Sequence, residues 1–281
     1  MPNIAFVNGK WSSISAAKVS VEDRGFQFGD GVYELIRTYQ GEVFHLDEHL
    51  SRLEASAKEI EITLPYTGSR LEKIIRLGCR KSGFTDVKIY IQVTRGAAPR
   101  LHSFPKKVKP TVVMTFREFE PLPLKLREEG VAIISTPDIR WARCNVKSLN
   151  LLPNVMGREQ ALRAGAFEAI FIRDGKVTEG AGSNLFAVLG KKIITPPAGP
   201  YILSGITREV VLRIGKENGL EMVERELKLS QLSSADELFL TGTTVEILPV
   251  VRLDGKPIAT GRPGEKTKFL CRAFQEQIAS K

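Results

Sequence analysis

Two runs rich in β-branched and aromatic residues, DVKIYIQVTRG at 86–96 and KPTVVMTFREF at 109–119, set the strongest limit on what this chain can become. Such residues suit the pleated, half-buried surface of a sheet, so both are expected to be strands of one sheet. Shorter runs of the same kind recur at Ile4–Val7, around the Gln40-Gly41 turn, in VAIIST, AFEAIFI and SNLFAVL, and at 222–225, 237–240 and 245–251. Helical patterns separate them. Asp47 is a cap candidate for a helix whose Leu50, Leu53, Ala57 and Ile60 recur at spacings of three and four, with Arg52 beside that stripe. Further helices are expected over 69–81 before Gly83, over 154–163 before Gly165, after a Ser204 cap, and from Gly264 to Ala279. Strands grouped in meanders with helices between them argue for an α+β fold and against a doubly wound parallel sheet.

At 281 residues the chain fits two domains, or one large one. The proline-interrupted, charged stretch EPLPLKLREEG reads as a linker, which gives a small N-terminal domain at 1–119, a linker at 120–129 and a larger C-terminal domain at 130–281. A formal charge of +9 invites a nucleic-acid reading, but the basic residues are interleaved with acidic ones and form no run, so no nucleic-acid partner is expected. Cys79, Cys144 and Cys271 are odd in number and lack metal-ligand spacing, so they read as buried thiols in a reducing compartment, with no metal site. No signal-like N-terminus and no run of roughly 18 apolar residues is present, which points to a cytoplasmic protein without a membrane partner.

The stretch RWARCNVKSLNLLPN at 140–154 carries the chemistry, because it places one lysine, Lys147, among small and apolar neighbours. A buried ammonium costs several kcal/mol unless it is paired, neutral or condensed with an aldehyde. The last two states are those of a nucleophile. Downstream, the Asp174-Gly175 turn and Glu179 end a hairpin.

KSLNLLPNV followed by GAFEAIFIRDGKVTEG closely resembles the class IV, fold type IV, pyridoxal-phosphate aminotransferases, and the D-amino-acid aminotransferases most of all. The resemblance covers nearly the whole chain. It implies a small N-terminal α/β sandwich, a larger C-terminal pseudo-barrel, and pyridoxal 5'-phosphate as cofactor. By the same resemblance Lys147 is the catalytic Schiff-base lysine, Glu179 faces the pyridine nitrogen, and Leu203 packs on the ring face. Arg52, the amides of Ile206 and Thr207 at a helix start, and the Thr243 turn of TGTT would hold the phosphate, since amides, hydroxyls and a guanidinium suit an anion.

The loop PRLHSF resembles the Arg-x-His signature with which D-amino-acid aminotransferases hold the substrate carboxylate. Arg100 and His102 carry over, together with Tyr33 of GDGVYE and Thr244. In this family the loop reaches across a homodimer interface. The implied activity is transamination between a D-amino acid such as D-alanine and a 2-oxo acid such as 2-oxoglutarate, its small-molecule partners. Leu35 agrees with the D-type enzymes, whereas Arg37 and Gly242 resemble the branched-chain L-aminotransferases. Those enzymes and the (R)-amine transaminases are the alternatives on this fold. A 4-amino-4-deoxychorismate lyase would not need Arg100 and His102.

Overall fold

The computed structural model describes Asn3–Ala279; Met1, Pro2, Ser280 and Lys281, at the outer ends of the two expected domains, lie outside the described residues. The chain groups into two compact units. The first runs to Glu120 and also takes in Val146–Asn150, so Lys147 groups with the N-terminal part of the sequence; the second holds Pro121–Asn145 and the residues from Leu151 onward.

The first unit contains β1 (Ile4–Val7), β2 (Lys10–Ser13), α1 (Arg24–Phe28), β3 (Gly31–Tyr39), β4 (Glu42–Val43), α2 (Leu46–Glu59), α3 (Gly68–Ser82), β5 (Val87–Thr94) and β6 (Thr111–Glu118). Its sheet runs β2-β1-β6-β5-β3-β4, with every pairing antiparallel. The two runs that dominate the sequence are thus adjacent strands, Ile89 opposite Phe116 and Ile91 opposite Met114. Their alternate residues meet Leu50, Leu53 and Ala57 of α2 and Leu71, Ile74 and Ile75 of α3 in one core. Thr67 caps α3 by accepting from the Arg70 amide, and Gly83 closes it at φ 75°.

Close packing fixes α3 on the sheet at Gly78. A Cβ there would lie 2.1 Å from the Phe116 ring, which is itself fully buried. Gly78→Ala is therefore expected to destabilise the protein by about 1–3 kcal/mol, the usual cost of overpacking a filled core. An unchanged urea midpoint would show that the helix can move away at no cost.

Two sequence expectations in this unit need correction or extension. Asp47 is not the cap of α2. The helix begins one residue earlier, with His45 at the N-cap in the left-handed region and no side-chain capping bond. Asp47 and Glu48 instead lie in the first turn, where their charge suits the helix dipole, and Glu48 pairs with His45 at 2.6 Å. Val146–Asn150 adds an irregular rung beside the start of β3: the Tyr33 amide donates to Lys147 O at 3.0 Å, and the Leu149 amide to Gly31 O at 3.0 Å.

The second unit contains α4 (Leu124–Glu129), β7 (Val131–Pro137), α5 (Leu152–Arg163), β8 (Glu168–Arg173), β9 (Lys176–Gly180), β10 (Asn184–Leu189), β11 (Lys192–Thr195), α6 (Ile206–Glu217), β12 (Glu221–Glu224), α7 (Leu229–Leu232), β13 (Glu237–Gly242), β14 (Glu246–Leu253), β15 (Lys256–Pro257) and α8 (Glu265–Ala279). Its sheet runs β12-β11-β10-β13-β14-β7-β8-β9 with β15 on β14, and curls into a half-barrel around a core that includes Leu185, Leu238, Leu240 and Leu248.

The stretch expected to be a linker is partly helical. Both prolines precede α4, and Pro123 stands at its N-cap, where its missing N–H breaks no helical bond. Arg127 then ties the helix to Glu246 on β14. Similarly, α5 starts two residues before Asn154 because Pro153 is tolerated in a first turn. Ser204 does not cap α6: Gly205 is the N-cap, and the Ser204 hydroxyl donates to Glu209 at 2.9 Å. No helix is long and apolar enough to cross a membrane, and no group of metal-binding side chains occurs among the described residues.

Candidate active site

Strand β3 and helix α2 build the polar cluster of the first unit. Because side chains alternate along a strand, Val32, Glu34 and Ile36 share the buried face of β3, which puts a carboxylate in an apolar row. The helix supplies its partners. His49, Arg52 and Ser56 recur at spacings of three and four and form a polar row beside the apolar stripe of α2. His49 Nδ1 lies 2.7 Å from Glu34 Oε2, and Arg52 donates from Nε and one Nη to the two Glu34 oxygens at 2.7 and 2.9 Å. The Ser56 hydroxyl accepts from the Lys147 amide at 3.2 Å. One helical row thus sets both the guanidinium of Arg52 and the backbone of Lys147.

Burial pushes the Glu34 carboxyl up, but the Arg52 charge and the hydrogen bonds from His49 and Arg52 outweigh it and hold the group at about 2. Burial lowers His49 in spite of its bond to Glu34. Both folded values lie below the unfolded ones, so both groups add stability that is complete above the unfolded value and is lost as pH falls. For Glu34 the window runs from 4.5 down to about 2, a contribution on the order of 3 kcal/mol. Glu34→Gln is expected to flatten the loss of stability between these limits; an acid-unfolding curve parallel to that of the parent protein would refute the assignment.

Lys147 is half-buried, with Nζ 4.3 Å from the centre of the Tyr33 ring. Among the described residues its amine has no hydrogen bond and no ion pair. Arg100 and His102 lie on the exposed loop between β5 and β6, where both meet the Phe28 ring, at 4.8 and 5.6 Å. No contact joins them to Tyr33 or Lys147 among the described residues of the single chain.

In the second unit Glu179 ends β9, buried, and Arg140 donates to its Oε1. Its Oε2 accepts from the Leu203 amide at 3.0 Å and from Asn184 Nδ2 at 3.2 Å. Glu179 and Leu203, expected from the sequence, are therefore brought together. Asn184, which the sequence reading missed, is the hub. It also donates to Leu203 O at 3.0 Å, pairs with Thr241 across β10 and β13, and would meet a Cβ at Gly205 within 2.1 Å. Burial opposes the charge on Arg140, yet its hydrogen bonds to Asp138 and the charges of Glu179 and Asp138 raise it further and keep it cationic. Arg140 in turn bridges two acids, Asp138 and Glu179.

Gly205 places Ile206 and Thr207 in the first turn of α6, whose amides lack helical acceptors. Thr243 and Thr244 form the turn from β13 to β14, and a Cβ at Gly242 would lie 3.4 Å from Gly182 O. These donors are neutral amides and hydroxyls beside a helix start, and they suit an anion such as a phosphate. An amine without an acid partner suits an aldehyde, and a fixed buried carboxylate suits a ring N–H. Each unit's donors thus suit a part of pyridoxal phosphate.

Residues 31–253 match the family model "Amino-transferase class IV". The D-alanine aminotransferase of Bacillus licheniformis is 45% identical over 277 residues, covering 97% of this chain and 96% of that protein. That of Staphylococcus epidermidis is 42% identical over 275 residues, 98% of each. Among solved structures, the branched-chain amino acid aminotransferase of Escherichia coli superposes with a TM-score of 0.94 at 30% identity, over 98% of this chain and 94% of that one. The T.th. branched-chain amino acid aminotransferase complexed with N-(5'-phosphopyridoxyl)-L-glutamate gives 0.90 at 29% identity, over 99% and 94%.

Proposed function

Because the chain belongs to the class IV aminotransferase family, we propose that it exchanges an amino group between a D-amino acid such as D-alanine and a 2-oxo acid such as 2-oxoglutarate. It is a pyridoxal-phosphate enzyme. The observation that carries the reading is the unpaired amine of Lys147, held on the Tyr33 ring in a chain 45% identical to a D-alanine aminotransferase.

When bound, pyridoxal phosphate supplies an aldehyde to hold the amine and a ring to draw in the electron pair left at Cα. Lys147 Nζ would hold that aldehyde, and its free amine would be placed to accept the donor's Cα proton. Glu179, paired with Arg140, would favour a protonated ring nitrogen. By resemblance to the family, Arg52, oriented by Glu34, the Ile206 and Thr207 amides and Thr243 would share in holding the phosphate, and Leu203 would pack on the ring face. Tyr33, Arg100, His102 and Thr244 orient the donor carboxylate, and a guanidinium does this through paired hydrogen bonds.

The branched-chain likeness of Arg37 has a structural explanation. Its guanidinium sits 3.7 Å from the centres of both the Tyr39 and Phe119 rings and is buried, so it staples β3 to the end of β6. The reading further includes residues 1–119 and 130–281 as domains joined through 120–129, a cytoplasmic location, and a homodimer in which the Arg100 loop serves the neighbouring subunit. Leu101 and Phe104, 64% and 51% exposed on that loop, support the dimer.

The test is a half-reaction of the cofactor-loaded protein with D-alanine and, separately, with L-leucine, followed by the visible absorption band. Bleaching by D-alanine is expected. Bleaching by L-leucine alone would assign branched-chain chemistry instead.

A further inference from the structure

The loop from Ala97 to Pro110 has no helix or strand of its own, yet it carries Arg100 and His102. What fixes it is an ionic node beneath it. Arg24, at the start of α1, donates from Nε to Asp30 Oδ2 at 2.7 Å, and Arg95, at the end of β5, donates from Nε to the same oxygen at 2.8 Å. Both guanidiniums are buried, and each reaches further. Arg24 Nη1 donates to Leu101 O at 2.5 Å, between Arg100 and His102. Arg95 donates to Glu61 O and Ile60 O at 3.0 and 2.6 Å, and it lies 3.5 Å from the centre of the Phe104 ring.

The backbone follows the same plan. The Arg95 amide donates to Asp30 O at 3.0 Å, the Arg24 amide to Gly96 O at 2.9 Å, and the Ala98 amide to Glu22 O at 3.1 Å. The Phe28 ring, two residues before Asp30, lies 4.8 Å from each of the Arg24 and Arg100 guanidiniums and 5.6 Å from His102. Three arginines therefore surround the loop, and Asp30 divides their work. Arg24 and Arg95 are neutralised at one carboxylate oxygen, whereas Arg100 has no ion pair among the described residues.

We infer that Asp30, with Arg24, Arg95 and Phe28, is the positioning assembly of the donor-carboxylate loop: it locks the Leu101 carbonyl and the Phe28 ring so that Arg100 alone offers its charge to the ligand. This rests on the carboxylate-binding role proposed above for Arg100. A charge-assisted bond shared by two arginines holds the loop backbone, and the ring limits the swing of the Arg100 and His102 side chains. None of these four residues touches the donor. Their effect is on how well its carboxylate is met.

The experiment measures the D-alanine half-reaction of the cofactor-loaded protein as a function of donor concentration, which separates the apparent dissociation constant from the limiting rate. Asp30→Asn keeps an oxygen acceptor but removes the charge. Phe28→Leu keeps the ionic node and removes only the ring, so it stays informative if Asp30→Asn folds poorly. Both variants are expected to raise the apparent dissociation constant on the order of ten- to a hundredfold at an unchanged limiting rate. Both should also speed tryptic cleavage after Arg100. Loss of limiting rate and cofactor retention together, in step with a lower melting temperature, would mark general damage and overturn the inference. So would donor affinity unchanged in both variants while Arg100→Ala weakens it. If Arg100→Ala itself leaves D-alanine handling intact, the carboxylate-binding role fails first, and the positioning role falls with it.

Discussion

Lys147→Ala is expected to remove the visible absorption band of the cofactor-loaded protein and to lower transamination by about a thousandfold or more, the combined loss of a covalent anchor and a positioned base. The fold should survive. Only the Lys147 backbone takes part in structure, donating to Ser56 and accepting from Tyr33, and alanine keeps both bonds. Its amine contributes one cation–ring contact, worth about 0.5–1 kcal/mol when partly exposed. Measured by absorption, turnover and thermal denaturation on the same sample, the variant should lose function at nearly constant stability. Retained turnover would remove the central assignment.

Arg140→Met should have the largest effect on stability. Arg140 meets Asp138 at 2.9 Å, donates to Glu179, and also reaches Thr178 and Tyr201 O, both at 3.1 Å. Removing it weakens the pairing of buried carboxylates, since the fully buried Asp138 side chain is left with the longer Arg173 contact, at 3.3 Å, as its cationic partner. Loss of one partner from a buried ion pair costs about 3–5 kcal/mol. Cofactor retention should fall as well, because a Glu179 that takes up a proton no longer favours a charged ring nitrogen. A urea midpoint and a cofactor-release rate equal to those of the parent would mean that Arg140 is idle.

The sheet of the first unit was legible because β5 and β6 combine β-branched composition with alternation, and because Gly83 marks the end of α3 chemically. Helix starts were less legible. Asp47 and Ser204 have the right side chains for caps, but the backbone turns at a neighbouring position in each case, and contacts made by His45 and Glu209 decide the outcome. The anchors Lys147 and Glu179 could be named from local motifs, whereas their supports could not. Asn184, Arg140 and His49 act through partners that are distant in sequence or reached only after folding. Glu34 was missed as well, although a carboxylate between Val32 and Ile36 on the inward face of a strand already demands a cation. Arg37, which resembles the branched-chain side, lies stacked between the Tyr39 and Phe119 rings, a placement that only the folded chain shows.

The rung that Val146–Asn150 adds beside β3 also bears on synthesis and dissection of the chain. Its bonds join residues 31–33 to residues 147–149, and contacts so far apart in sequence are formed late. A ribosome that has released only the first 120 residues has made every strand of the first sheet but not the segment that closes the free edge near Val32. An uncovered strand edge beside a buried apolar residue is a template for pairing with other chains. Truncation at residue 120 is thus expected to yield aggregates, whereas a fragment that carries 146–150 on a flexible tether should remain monodisperse.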